Sequence, residues 1–281
     1  MTMSPEILRA KIERITTLPT LPQVVTKIAA MVESPDTSVA DVGRIISKDQ
    51  VLSARVLKLV NSAFYGFSRP VTTITHAMVL LGFNVVKGIA MSASVFELFQ
   101  QGGGDGMDRK HLWDHSIGTA RIAGVLAKKV KLHEPEEAVV ASLMHDLGKI
   151  VLCAYMPEEF AAIIELAKRR KLLMVDAEVQ ILNTTHAEIG RWLLERWKLS
   201  VKLVEPIALH HAPHLSREAP LTTAIVHLAD ILCIALGIGD SGDEKIPPLS
   251  HAAWNLLGLT MGQVEEALRE IDEQEIVGAF V

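Results

Sequence analysis

The sequence predicts an all-α protein, a multi-helix bundle of two helical lobes, and three observations support this prediction. Apolar residues recur with the 3.6-residue period of amphipathic helices along almost the whole chain, and strand-like alternation is scarce. Hydrophobic residues make up 49% of the 281 residues but aromatic residues only 5%, so Leu, Ile, Val and Ala must form the core, which suits packed helices. The glycine-rich run QQGGGDGMD interrupts the pattern and predicts a flexible joint near residues 100–108.

The predicted N-terminal lobe, residues 1–105, contains five helical segments. The first begins at Ser4 and Pro5, a favourable N-cap and first-turn pair. The third begins at Ser38, with Asp41 at capping-box spacing. The five segments are SPEILRAKIERI, LPTLPQVVTKIAAMVE, SVADVGRIISKD, VLSARVLKLVNSAF and TITHAMVLLGFNVVKGIAMSASVFELF.

The predicted C-terminal lobe, residues 106–281, contains eight helical segments. They are HLWDHSIGTARIAGVLAKKV, EEAVVASLMHDLG, PEEFAAIIELAKRR, DAEVQILN, THAEIGRWLLERW, VKLVEPIALHHA, TTAIVHLADILCIALG and TMGQVEEALREID. The sequence therefore predicts more helix in this lobe than in the first.

Charge and cysteine usage restrict the classes of partner and compartment. With 28 basic and 33 acidic residues the net charge is −5, so no broad basic surface indicates nucleic acid or anionic lipid. The two cysteines, Cys153 and Cys233, lie in apolar runs and are typical of small buried hydrophobes in a reducing cytosol. The start MTMSPEILRA has no apolar signal core, and AIVHLADILCIALGIG is too short to span a bilayer. We therefore expect a cytoplasmic protein with no membrane contact.

A series of histidines and aspartates marks the predicted C-terminal lobe. Each lies on or at the edge of a predicted helix, and imidazole nitrogens with a bridging carboxylate suit divalent metals, iron or manganese first and zinc or nickel next. Ligands from several stiff helices would fix one or two ions in the bundle core and lower the pKa of bound water. Lys149, one turn beyond the central His-Asp pair, would offer a cation to a phosphate. The series is His115, His145, Asp146, His186, His210, His211 and Asp230.

The order of this series, with HDLGK at its centre, resembles the HD superfamily of metal-dependent phosphohydrolases. The resemblance implies that His115, His145, Asp146 and Asp230 hold a first metal. It implies that His186, His210 and His211 hold a second, with Asp146 bridging. The HD-GYP branch, which cleaves cyclic di-GMP, is similar, but the sequence here reads APHLSREAPL in place of that branch's signature. His111 stands where trinuclear members carry a glutamate.

The first half is similar to a narrower family, the HDOD domain of bacterial signalling proteins. The blocks LPTLPQVV and LVNSAFYG carry this resemblance, followed by a Thr-Ile-Thr-His-Ala turn and LLG. The resemblance covers about residues 10–235 and implies a helical protein that regulates through protein contacts. Most members of the family lack several metal ligands, whereas this sequence keeps the full series.

Several of these residues also have ordinary interpretations. His145 and Asp146 could be a helix-end pair bonded to backbone, and His186 could be a first-turn residue after the capping Thr185. Adjacent helical residues point about 100° apart, so only one of His210 and His211 is expected to enter the site fully. A buried carboxylate such as Asp230 needs a partner, and His227 on the same face could support the site or lie on the surface.

Two functions follow from the sequence. The first is signalling by contact with other signalling proteins, with a metal-bound site that stabilises the lobe or binds a regulatory nucleotide. The alternative is a phosphohydrolase acting on a nucleotide or phosphodiester, with Lys149 as its catalytic cation. Nucleic-acid binding is disfavoured because basic residues over 38–60 are scattered. The aromatic turn after Asn61, with Phe64, Tyr65 and Phe67, fits the core better than a partner surface.

Overall fold

A computed structural model of the chain describes residues 39–61 except 49, 70–82, 86–90 except 87, 109–271 except 198, and Ala10. The described residues are helical and contain no strand, which confirms the all-α prediction.

The chain divides into two compact units that meet in sequence after Gln101. The described residues 39–90 belong to one unit and residues 109–271 to the other. The predicted boundary at residue 105, the glycine-rich joint and the first two predicted helices lie outside the described residues, apart from the helical Ala10 in the first of them, as do Phe64, Tyr65 and Phe67. These remain predictions from the sequence.

The first unit contains helices α1 (Val39–Lys48), α2 (Gln50–Val60) and α3 (Ile74–Leu81). Asn61 fixes the connection between α2 and α3, because its amide donates to the Val71 carbonyl at 2.7 Å and accepts from the Val71 N–H at 2.6 Å. This pair of bonds gives Asn61 of the LVNSAFYG block a structural role. The described buried side chains here are apolar and come from α1, α2, α3 and the residues around them: Val42, Ile46, Leu52, Val56, Val60, Val71, Ile74, Ala77 and Met78, with Val86, Ile89 and Ala90 further on.

The fifth predicted helix is shorter than the sequence pattern indicated. Thr73 caps α3 by accepting from the His76 N–H, and the helix ends at Gly82, whose φ of 84° is a left-handed value that favours glycine. The single run predicted over TITHAMVLLGFNVVKGIAM is therefore interrupted, because the periodic apolar pattern continues through a residue that ends the helix.

The second unit contains ten α-helices and one short 3₁₀ turn among the residues that the structure describes. Prolines occupy the first turn of three of these helices and of the 3₁₀ turn, where no N–H is needed. The elements are α4 (Arg109–Lys129), α5 (Pro135–Met144), α6 (Leu147–Tyr155), α7 (Pro157–Arg170), α8 (Met174–Leu182), α9 (His186–Arg196), α10 (Val201–Leu209), the 3₁₀ turn Pro213–Leu215, α11 (Pro220–Ala235), α12 (His251–Leu257) and α13 (Met261–Arg269).

Two of these helices were not predicted. The helix predicted over EEAVVASLMHDLG breaks at His145 and Asp146, and a separate helix α6 follows it. Helix α12 begins after Ser250, whose hydroxyl accepts from the Ala253 N–H and supplies an N-cap. The break between α5 and α6 matters for function, because it places the His-Asp pair on a turn between two helices.

The core of the second unit forms around α4, α5 and α11, which pack against one another, with α10 against α5 and α6 against α9. By length and composition the stretch Pro135–Tyr155 could cross a membrane, but 83% of its apolar window is buried inside the protein. This stretch comprises α5 and α6, so its apolar character is accounted for by the core that it forms.

Candidate metal centre

All seven predicted ligands lie together in the second unit. Helix α4 contributes His115, the turn between α5 and α6 contributes His145 and Asp146, and α9 contributes His186 at its first position. The end of α10 contributes His210 and His211, and α11 contributes Asp230. Six of the seven side chains are no more than 4% exposed, and His211 is half-buried. Five segments distant in sequence therefore bring their polar side chains to one buried place.

One half of the cluster, which we name the carboxylate group, contains His115, His145 and Asp230. The Asp230 Oδ1 atom lies 3.1 Å from His115 Nε2 and 3.6 Å from His145 Nε2. The two imidazole rings have centroids 5.3 Å apart. Two ring nitrogens thus converge on one buried carboxylate oxygen.

The other half, which we name the imidazole group, contains His186, His210 and His211. The His186 Nε2 atom lies 3.3 Å from His210 Nε2 and 3.1 Å from His211 Nε2. Both of the adjacent histidines reach the cluster, against the expectation that only one would. The helix ends at Leu209 and the pair forms the turn that follows it, in which His210 keeps a helical backbone (φ −61°, ψ −23°) and His211 is partly exposed.

Asp146 lies between the two groups. Its Oδ2 atom is 3.4 Å from His145 Nε2 and 3.8 Å from His115 Nε2, and its Oδ1 atom is 3.3 Å from His186 Nε2. Lys149 Nζ donates to Asp146 Oδ2 at 2.9 Å and to the Ser241 carbonyl at 2.9 Å, and its side chain is 2% exposed. The lysine therefore does reach the cluster, where both acceptors belong to the protein.

Backbone and side-chain acceptors fix the ring tautomers of three histidines. The Nδ1 atoms of His145 and His210 face the carbonyls of Ser142 and Ile207 at 2.6 and 2.7 Å. The Nδ1 atom of His186 faces a carboxylate at 2.8 Å. Because these oxygens only accept, Nδ1 carries the proton on each ring and directs Nε2 toward the cluster. Metal-binding histidines are commonly held in this way.

Unsatisfied buried atoms test whether a cation fits here. His115 Nε2, His145 Nε2 and Asp146 Oδ1 are buried without a hydrogen-bond partner, although they lie 3 to 4 Å from other polar atoms. With neutral rings whose Nδ1 atoms carry the proton, the Nε2 lone pairs of His186 and His210 also face each other at 3.3 Å. One proton on His186 could satisfy only one of its two neighbours, whereas a divalent cation could satisfy them all.

The pKa shifts favour neutral imidazoles at His210 and His211 and an ionised carboxylate at Asp146. Burial alone would lower the pKa of His115, but Cys233 and Asp230 raise it well above its usual range. Burial lowers the pKa of His210 well below its usual range, and the nearby rings of His211 and His145 lower it further. Burial and His186 lower the pKa of His211 to about 3. Burial alone would raise the pKa of Asp146, but His145 and the Lys149 ammonium hold it well below its usual range. Neutral nitrogens and charged oxygens are the forms that bind metals.

Glu178 on α8 is a site residue that the sequence analysis missed. It is fully buried, and its carboxylate accepts from His186 twice, from the backbone N–H at 2.8 Å and from Nδ1 at 2.8 Å. A signal for it existed in the sequence, since it lies on the apolar face of α8 with Met174 and Leu182, where a carboxylate requires a partner. Glu178 therefore belongs to the site as the residue that orients His186.

His227 supports the site, which resolves the two interpretations left open for it. Its Nδ1 atom donates to the His210 carbonyl at 2.7 Å, and its Nε2 atom accepts from the Ser250 N–H at 3.0 Å. Burial lowers the pKa of His227, which agrees with a neutral ring between these two backbone groups. It thus links the His210 turn to the start of α12.

Gly148 explains part of the HDLGK motif. A side chain at this position would collide with the His186 carbonyl and the atoms beside it. Helices α6 and α9 can approach closely only because residue 148 lacks a Cβ atom. That approach is what places Asp146 and His186 within 3.3 Å of each other.

The remaining sequence predictions fall outside the cluster. His111 is exposed, and its carbonyl accepts from the Asp240 N–H at 2.9 Å. Cys153 and Cys233 are buried thiols, as predicted. Of the scattered basic residues in α1 and α2, Arg44 makes an ion pair with Asp41 at 3.4 Å. The metal identity, Lys149 as a catalytic residue, the partners and the compartment remain predictions.

Comparison with solved structures supports this fold. The chain matches an HDOD domain protein with unknown function from Geobacter sulfurreducens, at 28% identity and a TM-score of 0.74, over 98% of this chain and 97% of the other. It also matches a protein from Shewanella amazonensis SB2B described as "Putative phosphohydrolase", at 26% identity and a TM-score of 0.71, over 97% and 98% of the two chains.

Sequence comparison identifies a relative and a family. An uncharacterized protein of Treponema pallidum (strain Nichols) is 28% identical over 263 residues, which cover 92% of this chain and 48% of the relative. The chain thus spans about half the length of this curated relative. The HDOD domain family matches residues 18–213, well over half of the sequence. The chain belongs to the HDOD family, and its second unit contains histidine and aspartate groups able to bind a metal.

Proposed function

We propose that this chain is a bacterial regulatory protein that acts through contacts with signalling proteins and holds one or two divalent metal ions in its HD site. The observation that supports this best is the approach of three Nε2 atoms to Asp146, those of His115, His145 and His186, at 3.3 to 3.8 Å. The Nδ1 protons of His145 and His186 are committed to other acceptors. The depth of the site favours holding an ion over rapid exchange of a large substrate, because only His211 among the ligands is partly exposed.

The residues of the two groups would hold the ions, with Asp146 shared between them. A bound ion would supply positive charge to a buried cluster of carboxylates and would acidify any water that it binds. Iron or manganese fits a mixed set of imidazoles and carboxylates, and zinc or nickel would also fit. Membership of the HDOD family supports a regulatory role for the whole protein. A signalling partner would then bind selectively to its metal-bound form.

Metal content of protein purified without chelators and under low oxygen tests the metal site. We expect one to two ions per chain in the wild type and less than about a tenth of that in Asp146→Ala, since Asp146 touches both groups. The double variant Asp146→Ala/Lys149→Met is the control, because it also removes the buried ammonium that would lose its partner. Metal-free wild-type protein under these conditions would refute the metal site.

Regulation is tested by complementing a bacterial strain that lacks the chain and comparing transcript profiles. We expect the wild type to restore the profile. If the double variant also restores it, contact alone carries the signal and the metal stabilises the fold. If the double variant restores nothing although it is folded and abundant, the signal requires the metal-bound site.

A metal-dependent phosphohydrolase is the second candidate, and one observation favours it. Lys149 places a buried ammonium 2.9 Å from Asp146 Oδ2, where it could bind a phosphate oxygen beside the ions. The likeness to the Shewanella amazonensis protein supports the same reaction class. In such an enzyme Lys149 would bind the phosphate, and Asp146 and the histidines would position the ions.

Hydrolysis of bis(p-nitrophenyl) phosphate and p-nitrophenyl phosphate by manganese-loaded protein separates the candidates. Activity that disappears in both Asp146→Ala and the double variant would favour the enzyme. A fully metal-loaded wild type with no activity on either compound would favour the regulatory protein. A Lys149→Met variant that keeps its metal but loses activity would indicate that Lys149 binds the substrate.

A further inference from the structure

The segment of residues 237–250, between α11 and α12, contains no helix or strand and lies beside the metal cluster. We name this segment the strap. It follows the helix that carries Asp230, and it contacts α4, α6, α8 and α11 around the site.

The first contacts lie against α4, beside His115. The Asp240 N–H donates to the His111 carbonyl at 2.9 Å. Gly239 has a φ of 67°, and a Cβ atom there would collide with the His115 N–H and the His111 carbonyl. The strap therefore passes against the helix at the turn that precedes a ligand.

The second contact is with Lys149. Its Nζ atom donates to the Ser241 carbonyl at 2.9 Å while it also donates to Asp146 Oδ2. Both Lys149 and Ser241 are almost fully buried, at 2% and 4% exposure. The ammonium predicted to bind a phosphate thus binds the backbone of the strap.

The third and fourth contacts are with α8 and α11. The Asp243 Oδ1 atom accepts from the Met174 N–H at 2.6 Å and caps the first turn of α8, the helix that carries Glu178. The Ser250 N–H donates to His227 Nε2 at 3.0 Å. Ile238, at the start of the strap, is buried against Gly118 of α4. From Asp240 to Asp243, the contacts with α4, α6 and α8 are single hydrogen bonds, which is typical of a segment that opens locally.

We propose that the strap is a lid in its closed position, latched by Lys149 and Asp243, and that its opening controls access of phosphate-bearing ligands to the metal cluster. This inference rests on the proposed metal site. When the strap lifts, the Lys149 ammonium exchanges the Ser241 carbonyl for an anion of the ligand. In this scheme a signalling partner that binds the opened strap would couple protein contact to the state of the site.

Two variants within the strap provide a matched test. Asp243→Ala removes the carboxylate that ties the strap to α8. Asp240→Ala removes a carboxylate whose bond, to the Gly242 N–H at 2.8 Å, stays within the strap. Asp243→Asn keeps an oxygen that can accept from the Met174 N–H, so it should behave as the wild type.

The first measurement is the rate at which an amine-reactive reagent labels Lys149 in the full chain, followed by peptide mass spectrometry. We expect Lys149 to be labelled at least about tenfold faster in Asp243→Ala than in the wild type. Loss of one hydrogen bond lowers the free energy of opening, so a larger fraction of the molecules has an open strap. Asp240→Ala and Asp243→Asn should label at the wild-type rate. Equal rates in Asp243→Ala and Asp240→Ala would overturn the latch.

Hydrogen exchange on the wild type gives a second test that requires no variant to fold. Strap amides should exchange at least about tenfold faster than the amides of α4 and α6, which report opening of the core. Strap amides as slow as those helices would overturn the lid, because the strap would then be part of the core.

Inorganic phosphate connects the lid to the site. In manganese-loaded protein we expect Asp243→Ala to bind phosphate severalfold more tightly than Asp240→Ala, because less free energy is spent on opening. Faster labelling without tighter phosphate binding would overturn the control of ligand access. Labelling and exchange do not require metal, so a protein without metal would refute the proposed function while the lid was still tested.

Discussion

The two halves of the metal cluster differ in how their ligands are held. In the imidazole group, His186 and His210 have Nδ1 atoms fixed by Glu178 and by the Ile207 carbonyl, and the group has no carboxylate of its own. In the carboxylate group, the Ser142 carbonyl fixes the His145 ring, whereas His115 has neither ring nitrogen hydrogen-bonded and lies 3.1 Å from Asp230. The imidazole group thus relies on fixed rings alone, and the carboxylate group combines one fixed ring with a negative charge.

This difference indicates what each half would contribute. Rings with fixed tautomers lose little freedom on binding and select ions that suit nitrogen ligands. A buried carboxylate attracts any cation, and an unanchored ring such as His115 can adjust to its size. Asp146 belongs to both halves, so changes there should have the largest effect and changes at supporting residues the smallest.

The largest effect is expected at Asp146. In metal-free protein, Asp146→Ala removes the carboxylate and leaves the Lys149 ammonium buried without it. This change costs about 3–5 kcal/mol of unfolding free energy. Asp146→Ala/Lys149→Met should recover most of this loss but bind no more metal than the single variant. Urea denaturation of both variants with chelator present measures this difference in unfolding free energy. Equal stabilities of the single and double variants would mean that the ion pair carries no stability.

Asp230→Ala and His211→Ala sharpen the comparison between the two groups. Asp230→Ala should weaken manganese binding by more than about 100-fold, above the range for an outer-shell partner. His211→Ala should weaken it less, because this residue is half-buried and water can take its place. Isothermal titration of the metal-free proteins gives both values. The reverse order would show that imidazoles hold the tighter ion.

The double variant Asp230→Ala/His211→Ala then decides between one ion and two. If the groups hold separate ions, each variant should lose its own binding step and leave the other in place, so the two losses add. If a single ion lies between the groups, both variants should weaken the same step, and the double variant should show a coupling of more than about 0.5 kcal/mol.

Glu178→Gln is expected to have a smaller effect, confined to the imidazole group. An amide is uncharged, and its NH2 group would replace the oxygen that lies 2.9 Å from the His186 Nδ1 donor, so we expect about 10–100-fold weaker binding there. Glu188→Gln on α9 is the control, since Glu188 contacts Trp192 and Arg191 and lies away from the ligands. Weakening of the carboxylate group by Glu178→Gln would contradict the division into two groups.

The sequence predicted which residues come together, because their side chains are polar and the surrounding sequence is apolar. His and Asp at helix edges in an apolar protein need partners, and all seven do lie together. The parts that hold them were harder to predict, because they arise from contacts between distant segments. Lys149 and Ser241 are 92 residues apart, and nothing near either residue in sequence indicates the other.

Local breaks limited the prediction of the fold in a similar way. The apolar period runs through Gly82 and through His145 and Asp146, but the helices end at these places. At Gly82 the left-handed backbone ends α3. At the His-Asp pair, a turn lets both side chains enter the cluster while His145 still bonds to the Ser142 carbonyl, as the helix-end interpretation required. Periodicity reports which face is buried and is insensitive to such interruptions.

The smallest effect is expected at His227, through pH. Burial lowers its folded-state pKa below the 6.5 of an unfolded histidine. Below pH 6.5 the unfolded chain therefore binds a proton that the folded chain does not, so stability falls as pH falls toward the folded pKa. His227→Ala should reduce this slope by up to about 1.4 kcal/mol per pH unit, measured by urea denaturation of metal-free protein between pH 6.5 and 5.

The control for this prediction is His251→Ala, because His251 is exposed at the start of α12. It should leave the slope unchanged. A His227→Ala variant with the wild-type slope would mean that His227 takes up its proton in the folded state, which requires breaking its bond from the Ser250 N–H. In that case the His210 turn would be less firmly held than the geometry indicates, and the imidazole group would not be organised before an ion binds.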